Sequence, residues 1–285
     1  MAGVATNRTN INLPPEVSAE ILAKTQDASA IMSLARQIAL PGRGVSIPVI
    51  TGDPQAAWVA ETASKPVANP TLETKIMTPY KLAVIVPFSN EFRRDAAALY
   101  DELVRRLPLA LAQRFDATVV GAVTAPGSDF DNFASATAQN ISTNTYASLV
   151  AADTDIAVNG GDMNGIALSP QGKGVLLAAV DDNKRPLFVN NVSEGAIPMV
   201  LGAPVTINKG IYDATNHVVG IAGDWTQAMY GTVSGVEISY SEDATLDLGE
   251  STINLFQQNM FAVRAEIEIG FRADVSCFNR LTVTA

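Results

Sequence analysis

One cysteine, Cys277, and one histidine, His217, stand in a chain of 285 residues. They are the only thiol–imidazole pair the chain could offer for nucleophilic catalysis, and such a pair works only within hydrogen-bond reach. Cys277 lies in "DVSCFNRL", an apolar setting that reads as a small core residue. His217 follows "YDATN" and reads as a loop residue. No nucleophile-elbow sequence supplies a serine alternative. A single histidine also excludes a His-rich metal site. "NGGDMNG" (159–165) lacks the ligand spacing of a calcium loop and reads as a connection. "SPQGKG" (169–174) follows a strand pattern and opens a helix, where backbone amides could meet a phosphate. It lacks the spacing and the Lys-Ser/Thr pair of a nucleotide loop, so a turn and helix start account for it. Asp181–Asp182 and Glu242–Asp243 sit in polar turns as solvated charges. No catalytic, metal or cofactor site is expected, and the chain does not read as an enzyme.

The bulk properties narrow the classes further. Hydrophobic residues make up 47% and charged residues 17%, which excludes global disorder. At about 150 residues per domain, two domains are expected. The net charge is −10. An acidic chain gains nothing from neutralising phosphates, so sequence-reading DNA binding is excluded, while DNA enclosed without being gripped is compatible. No apolar run approaches the roughly 18–20 residues that cross a bilayer, so no membrane partner is expected. The chain begins at Met1 without a basic-then-apolar leader, so a complete product with no removed pro-segment is expected. The lone cysteine forms no intrachain disulfide and fits a reducing, cytosolic place of synthesis.

The elements are more telling than the chemistry. Residues 1–15 read as a polar arm. Residues 15–40 carry a helical period through Val17, Ile21, Leu22, Ile31, Leu34 and Ile38, with "PGRG" (41–44) as the stop. "VSIPVI" (45–50) reads as a strand. Residues 51–80 are too long for an ordinary loop and fit two β arms either side of a bend at 64–70. A two-stranded ribbon is marginal alone, so it needs a neighbour. "YKLAVIVPFS" alternates, with Leu82, Val84 and Val86 on one face. From Ser89 or Asn90 as cap, an apolar stripe through Phe92, Leu99, Leu103, Leu107, Leu111, Phe115 and Val119 predicts a long helix, kinked or divided at Pro108. Residues 141–240 read as an α/β unit. Its helices are "NTYASLVAADTDIA" and "PQGKGVLLAAV"; its strands are "GIALSP", "PLFV", "MVLGAPVTIN", "VVGIAGDW" and "GVEISYS". "MFAVRAEIEIGFRADV" predicts a long half-buried antiparallel strand. Phe261, Val263, Ala265, Ile267 and Ile269 form one face, with Arg264, Glu266 and Glu268 opposite.

This order resembles the major capsid proteins of tailed phages, an α+β fold of the Hong Kong ninety-seven type that encapsulin shells share. "AAWVAETASKP" is similar to the first arm of the family's extended loop through Ala56, Trp58 and Glu61. The return arm resembles "LETKIMTPYKLAVIVPFSNEF" at Pro79, Lys81, Leu82, Ala83, Ser89 and Glu91. Gly223, Asp224 and Trp225 are similar to the family's axial-domain Gly-Asp-aromatic segment, and the closing strand matches as well. The resemblance spans roughly 15–284. It implies an N-terminal arm and first helix (1–49), an extended β-hairpin loop (50–88), a peripheral domain with a long spine helix (89–140 and 250–285) and an axial domain (141–249). It implies self-assembly through hexamers and pentamers into an icosahedral head around double-stranded DNA, made in the host cytoplasm and ending in the virion. Scaffolding, portal and decoration proteins are the further partners; the short stretch before the first helix points to a separate scaffolding protein or none. The alternative is an encapsulin-type compartment around a cargo enzyme. Lys65, Lys75 and Lys81 in the loop and Asn279 near the C-terminus are the candidates for inter-subunit cross-links; otherwise the lysines make exposed or interfacial ion pairs.

Overall fold

Pro15 opens the first helix, where its missing N–H is no loss. The computed structural model describes residues 15–52, 58–59, 71–91, 96–181, 183–188, 199–247, 249 and 252–284. Helix α1 (Pro15–Ala28) ends at Ser29, and a short α2 (Ala30–Leu34) follows. The single helix expected over 15–40 is therefore corrected. Ser29 adopts an extended conformation (φ −92°, ψ 125°) and its side chain accepts the Met32 N–H, capping α2. Ile38 then falls in strand β1 (Arg36–Ala39).

Strands β2 (Val45–Gly52) and β3 (Thr71–Met77) form a two-stranded antiparallel hairpin running from Val45↔Met77 towards its tip. The two expected arms are present; most of the residues between them lie outside those described. Strand β4 (Tyr80–Ser89) follows, with Leu82, Val84 and Val86 half-buried and Lys81, Ala83 and Ile85 exposed. Helix α3 (Ala96–Val120) is the longest. Pro108 lies inside it without dividing it, between the buried Leu107 and Leu111. Ser89 ends β4, and its hydroxyl accepts the Glu91 N–H at 3.3 Å; the start of the helix, where Ser89 or Asn90 is the expected cap, runs into residues 92–95, which lie outside the described residues. Phe92 lies outside the described residues.

The chain continues through β5 (Thr137–Asn140), α4 (Thr145–Val158), β6 (Gly165–Leu168), α5 (Pro170–Ala178), β7 (Met199–Val200), β8 (Ala203–Ile207) and β9 (Val218–Gly223). It closes with β10 (Ala228–Thr232), β11 (Glu237–Ser241), β12 (Thr245–Asp247), β13 (Thr252–Asn254), β14 (Met260–Ala273) and β15 (Phe278–Thr282). "PLFV" is not a strand among the described residues; Pro186 makes only an isolated bridge to Val180. "MVLGAPVTIN" divides into β7 and β8 because Leu201 and Gly202 turn through positive φ (49° and 84°).

Strand β14 organises a five-stranded sheet. It pairs with β4 along one edge, and with β10 and β11 end to end along the other; β1 adds to β10 in parallel. Its predicted apolar face is buried: Phe261, Val263, Ala265 and Ile267 pack with Leu107 and Leu111 of α3 and with Leu82, Val84 and Val86. The six-stranded sheet has the order β5-β15-β9-β6-β8-β7. One face, with Val219, Ala222, Ile166 and Leu168, is covered by Leu149, Ala152 and Ile156 of α4 and Leu176 of α5. The other face, with Ala167, Ile221 and Phe278, packs against Ile31 of α2, Phe115 and Val119 of α3, and Phe133. The five-stranded sheet joins strands from 36–39, 80–89, 228–241 and 260–273, and the six-stranded sheet joins strands from 137–140, 165–223 and 278–282, because pairing joins strands that local periodicity treats separately.

Candidate functional site: a hairpin and its anchor

The β2–β3 hairpin ends at its base in a fully buried side chain, Met77. Opposite it, Gly231 of β10 and Gly270 of β14 face each other in register. A Cβ on Gly231 would lie 3.2 Å from Met77 Sδ, and one on Gly270 would lie 2.8 Å from Met77 Cγ. The paired glycines are therefore a notch in the sheet that receives the methionine. Gly44, just before β2, has φ +82°, and a Cβ there would come within 2.6 Å of the Met77 carbonyl. Glycine is required there on both counts.

Arg272, largely buried, ties the same base to the rest of the molecule. Its Nε and Nη2 donate to the Ile76 carbonyl at 2.7 and 2.5 Å. Nη1 donates to Asp131 Oδ1 at 2.8 Å, and Nη2 to Asp129 Oδ1 at 3.1 Å. The carboxylates are held in turn: Thr78 Oγ1 donates to Asp129 Oδ2 at 3.1 Å and the Ala273 N–H to Asp131 Oδ2 at 3.2 Å. A planar guanidinium with several donors can bind a carbonyl and two carboxylates at once, which a lysine cannot. One side chain thus joins the hairpin, β14 and the 128–131 loop. Sequence reasoning missed it. The available signal was a cation in the run 269–273, which is buried on both faces, together with the paired acids of "SDFDN".

The predicted loop residues separate around this anchor. Trp58 is fully exposed. Ala56, Glu61 and Lys65 lie outside the described residues. Lys75 donates to the Ala273 carbonyl at 3.4 Å, within its own chain. Pro79 marks the corner where the chain leaves β3 for β4. Lys81 and Glu268 are 3.4 Å apart across β4 and β14, both solvent-accessible, so the pair contributes about 0–1 kcal/mol. The cross-link expectation for Asn279 is corrected: it is completely buried and its Nδ2 donates to the Ala152 carbonyl at 3.0 Å, beyond a neighbour's reach.

Gly223, Asp224 and Trp225 are brought together as a staple in the core. A Cβ on Gly223 would lie 2.2 Å from the Phe278 ring. Asp224 Oδ1 accepts from Asn164 Nδ2 at 2.7 Å and from the Thr226 N–H at 3.0 Å. Trp225 Nε1 donates to the Gly165 carbonyl at 2.8 Å, and its ring meets Phe133 and Phe278 edge-on. The motif fixes the 159–165 connection to β9 and to the last strand.

A second buried contact holds the first helices to α3. Asp116 is completely buried and accepts from Ser29 Oγ at 2.5 Å and from the Ala30 N–H at 3.1 Å. Burial raises its carboxyl to about 7, against the opposing pull of those hydrogen bonds.

None of this is catalytic geometry. His217 precedes β9, while Asp224, just past its other end, donates its N–H to the Cys277 carbonyl. The pair is therefore separated by the length of β9, roughly 20 Å. Burial pushes the Cys277 thiol pKa up, which disfavours the reactive thiolate. Ser169 of "SPQGKG" is buried and caps α5 through the Gly172 N–H at 3.1 Å. No cluster of metal-ligating side chains occurs among the described residues.

The β2–β3 hairpin pairs with no other strand among the described residues and is held at its base to a body with two mixed sheets. The chain belongs to the phage capsid family, whose profile matches residues 10–274. It is 30% identical over 293 residues to the probable major capsid protein gp17 of Mycobacterium phage L5, covering 95% of this chain and 89% of that protein. Among solved structures, one from Mycobacterium phage Bobi matches with a TM-score of 0.73 at 17% identity, over 90% of this chain and 91% of the other. The capsid of the native GTA particle, computed with C5 symmetry, matches with a TM-score of 0.61 at 14% identity, over 100% and 96%. The fold is the Hong Kong ninety-seven type, and the function is that of a phage major capsid protein, a self-associating component of the virion. The relatives favour this reading over the encapsulin alternative.

Proposed function

We propose that the chain closes an icosahedral head through hexamers and pentamers, with the β2–β3 hairpin lying across a neighbouring subunit and the N-terminal arm reaching another. The observation that carries this is the hairpin itself: its strands pair only with each other among the described residues, it is fixed to its own chain at the base by Met77 and Arg272, and Trp58, between its arms in sequence, is fully exposed. Exposed apolar surface such as Trp58 gains free energy only when another surface covers it. Repeated head-to-tail contacts of this kind close into rings. The β14 body with α3 serves as the peripheral domain and the six-stranded sheet with α4 and α5 as the axial domain. The net charge of −10 suits a wall around packaged DNA that the nucleic acid does not adhere to. The subunit acts without turnover chemistry or cofactor. It is made in the host cytoplasm and works with scaffolding, portal and decoration proteins.

Negative-stain electron microscopy of the chain expressed alone and with its neighbouring genes tests this. Closed, uniform shells are expected, lost when residues 53–70 are deleted. A strict monomer under both conditions would overturn the reading.

A further inference from the structure

The connection "NGGDMNG" (159–165) begins and ends with an Asn–Gly pair. Such a pair is chemically labile. Glycine has no Cβ to shield its amide nitrogen, so that nitrogen can approach the side-chain carbonyl carbon of the asparagine before it. The structure treats the two pairs oppositely.

Asn164–Gly165 is locked. Both ends of the Asn164 amide are used: Nδ2 donates to Asp224 Oδ1 at 2.7 Å, and Oδ1 accepts the Trp225 N–H at 2.9 Å. Gly165 is buried at the start of β6, where a Cβ would lie 2.7 Å from the Trp225 ring. Turning Asn164 towards the Gly165 nitrogen would dismantle the staple in the core. Asn159–Gly160 is open. Asn159 is the C-cap of α4, and both residues are exposed. Its Nδ2 donates to the Ser276 carbonyl at 3.0 Å, at the surface, and its Oδ1 has no hydrogen bond among the described residues. Gly160 has φ +85°, and nothing lies within 4 Å of where its Cβ would be. Its N–H donates to the Ala157 carbonyl at 3.1 Å in the last turn of the helix. An exposed helix end opens at little cost, whereas freeing Asn164 requires the core to open.

We propose that Asn159 is a site of spontaneous deamidation in the folded chain and that Asn164 is not. The Gly160 nitrogen gives its proton to hydroxide and attacks Asn159 Cγ. The N–Cγ bond forms, the Cγ–Nδ2 bond breaks, and ammonia leaves with a proton from water. Water then adds to one carbonyl of the resulting succinimide and opens it to isoaspartate or aspartate, with no change of oxidation state. The product has lost its donor: a carboxylate faces the Ser276 carbonyl and sits at the negative end of the α4 dipole. That end of α4 covers the buried Cys277, whose Sγ is 3.8 Å from the Asn159 carbonyl oxygen and whose Cβ would lie 3.1 Å from a Cβ on Gly161. Deamidation therefore loosens the cover over the lone thiol. A subunit held in a virion is not renewed, so the product accumulates with age.

Peptide mapping by mass spectrometry tests this, after the full chain has stood at mildly alkaline pH. In urea, where neither pair is protected, the two should react at similar rates. In the folded chain Asn159 should react about tenfold faster than Asn164, or more. An intact Asn159, or equal rates at the two positions in the folded chain, would overturn the proposal. Asn159→Asp supplies the charged product from the start. A maleimide should label Cys277 in this variant about threefold faster than in the fresh wild-type chain, or more, and in the aged wild-type chain in proportion to the product present. Equal labelling of all three would overturn the loosening of the thiol's cover.

Discussion

The β2–β3 hairpin and the six-stranded sheet solve opposite problems with the same kind of strand. The sheet is covered on both faces, so its stability is spread over many apolar contacts. Among the described residues the two hairpin strands pair only with each other and have no layer of their own, so their attachment is concentrated at Met77 and Arg272. Distributed burial tolerates the loss of one contact better than a clamp does. A concentrated clamp in turn lets an arm project far from the body without a core beneath it.

The largest effect is expected where the hairpin depends on a single group. Arg272→Ala leaves Asp129, Asp131 and the Ile76 carbonyl without their shared donor and should cost about 3–5 kcal/mol in urea unfolding of the unassembled subunit. Hydrogen exchange sharpens this: amides of β3 should lose protection while those of β6 and β9 keep it. Equal loss in both regions would break the contrast.

On the body side, Asp116 should make stability depend on pH. Its carboxyl titrates at about 7 in the folded chain against 3.8 in the reference state, so the native state holds a proton that the unfolded chain has released. The stabilising contribution is complete below about pH 4 and is lost as pH rises through about 7, by up to about 4 kcal/mol. Asp116→Asn should flatten the corresponding part of the melting profile; an unchanged slope would show that other groups set it.

Trp225→Phe keeps most of the ring contacts but leaves the Gly165 carbonyl without its donor, at a cost of about 1–3 kcal/mol by thermal unfolding. Smallest is Lys81→Ala. Its exposed pair with Glu268 should change stability by no more than about 1 kcal/mol, even though Lys81 lies near the hairpin base. A larger loss in the free subunit would mean that the base is held by more than Met77 and Arg272.

What could be read along the chain was the periodic part. Alternation placed Leu82, Val84 and Val86 on one face of β4 and Phe261 to Ile269 on one face of β14. Helices α4 and α5 and strand β6 were legible for the same reason, since a local repeat decides which side is buried. The breaks in period were not. Ile31, Leu34 and Ile38 fit a helical spacing, yet Ser29 and Asp116, far apart in sequence, stop the helix and start another. Strand β10 was passed over because "AMYGT" has little pattern of its own; it is a strand because it pairs with β14 and β1.

The sequence by itself therefore determined the elements with strong local periods and the resemblance to phage capsids. Only the tertiary structure decided which residues hold the hairpin. Gly231 and Gly270 become a notch only when β10 and β14 lie in register. Arg272 becomes a clamp only when the 128–131 loop and the end of β3 converge on it. Contacts between groups so distant along the chain leave no period to read, because they depend on strand pairing and chain reversal rather than on spacing.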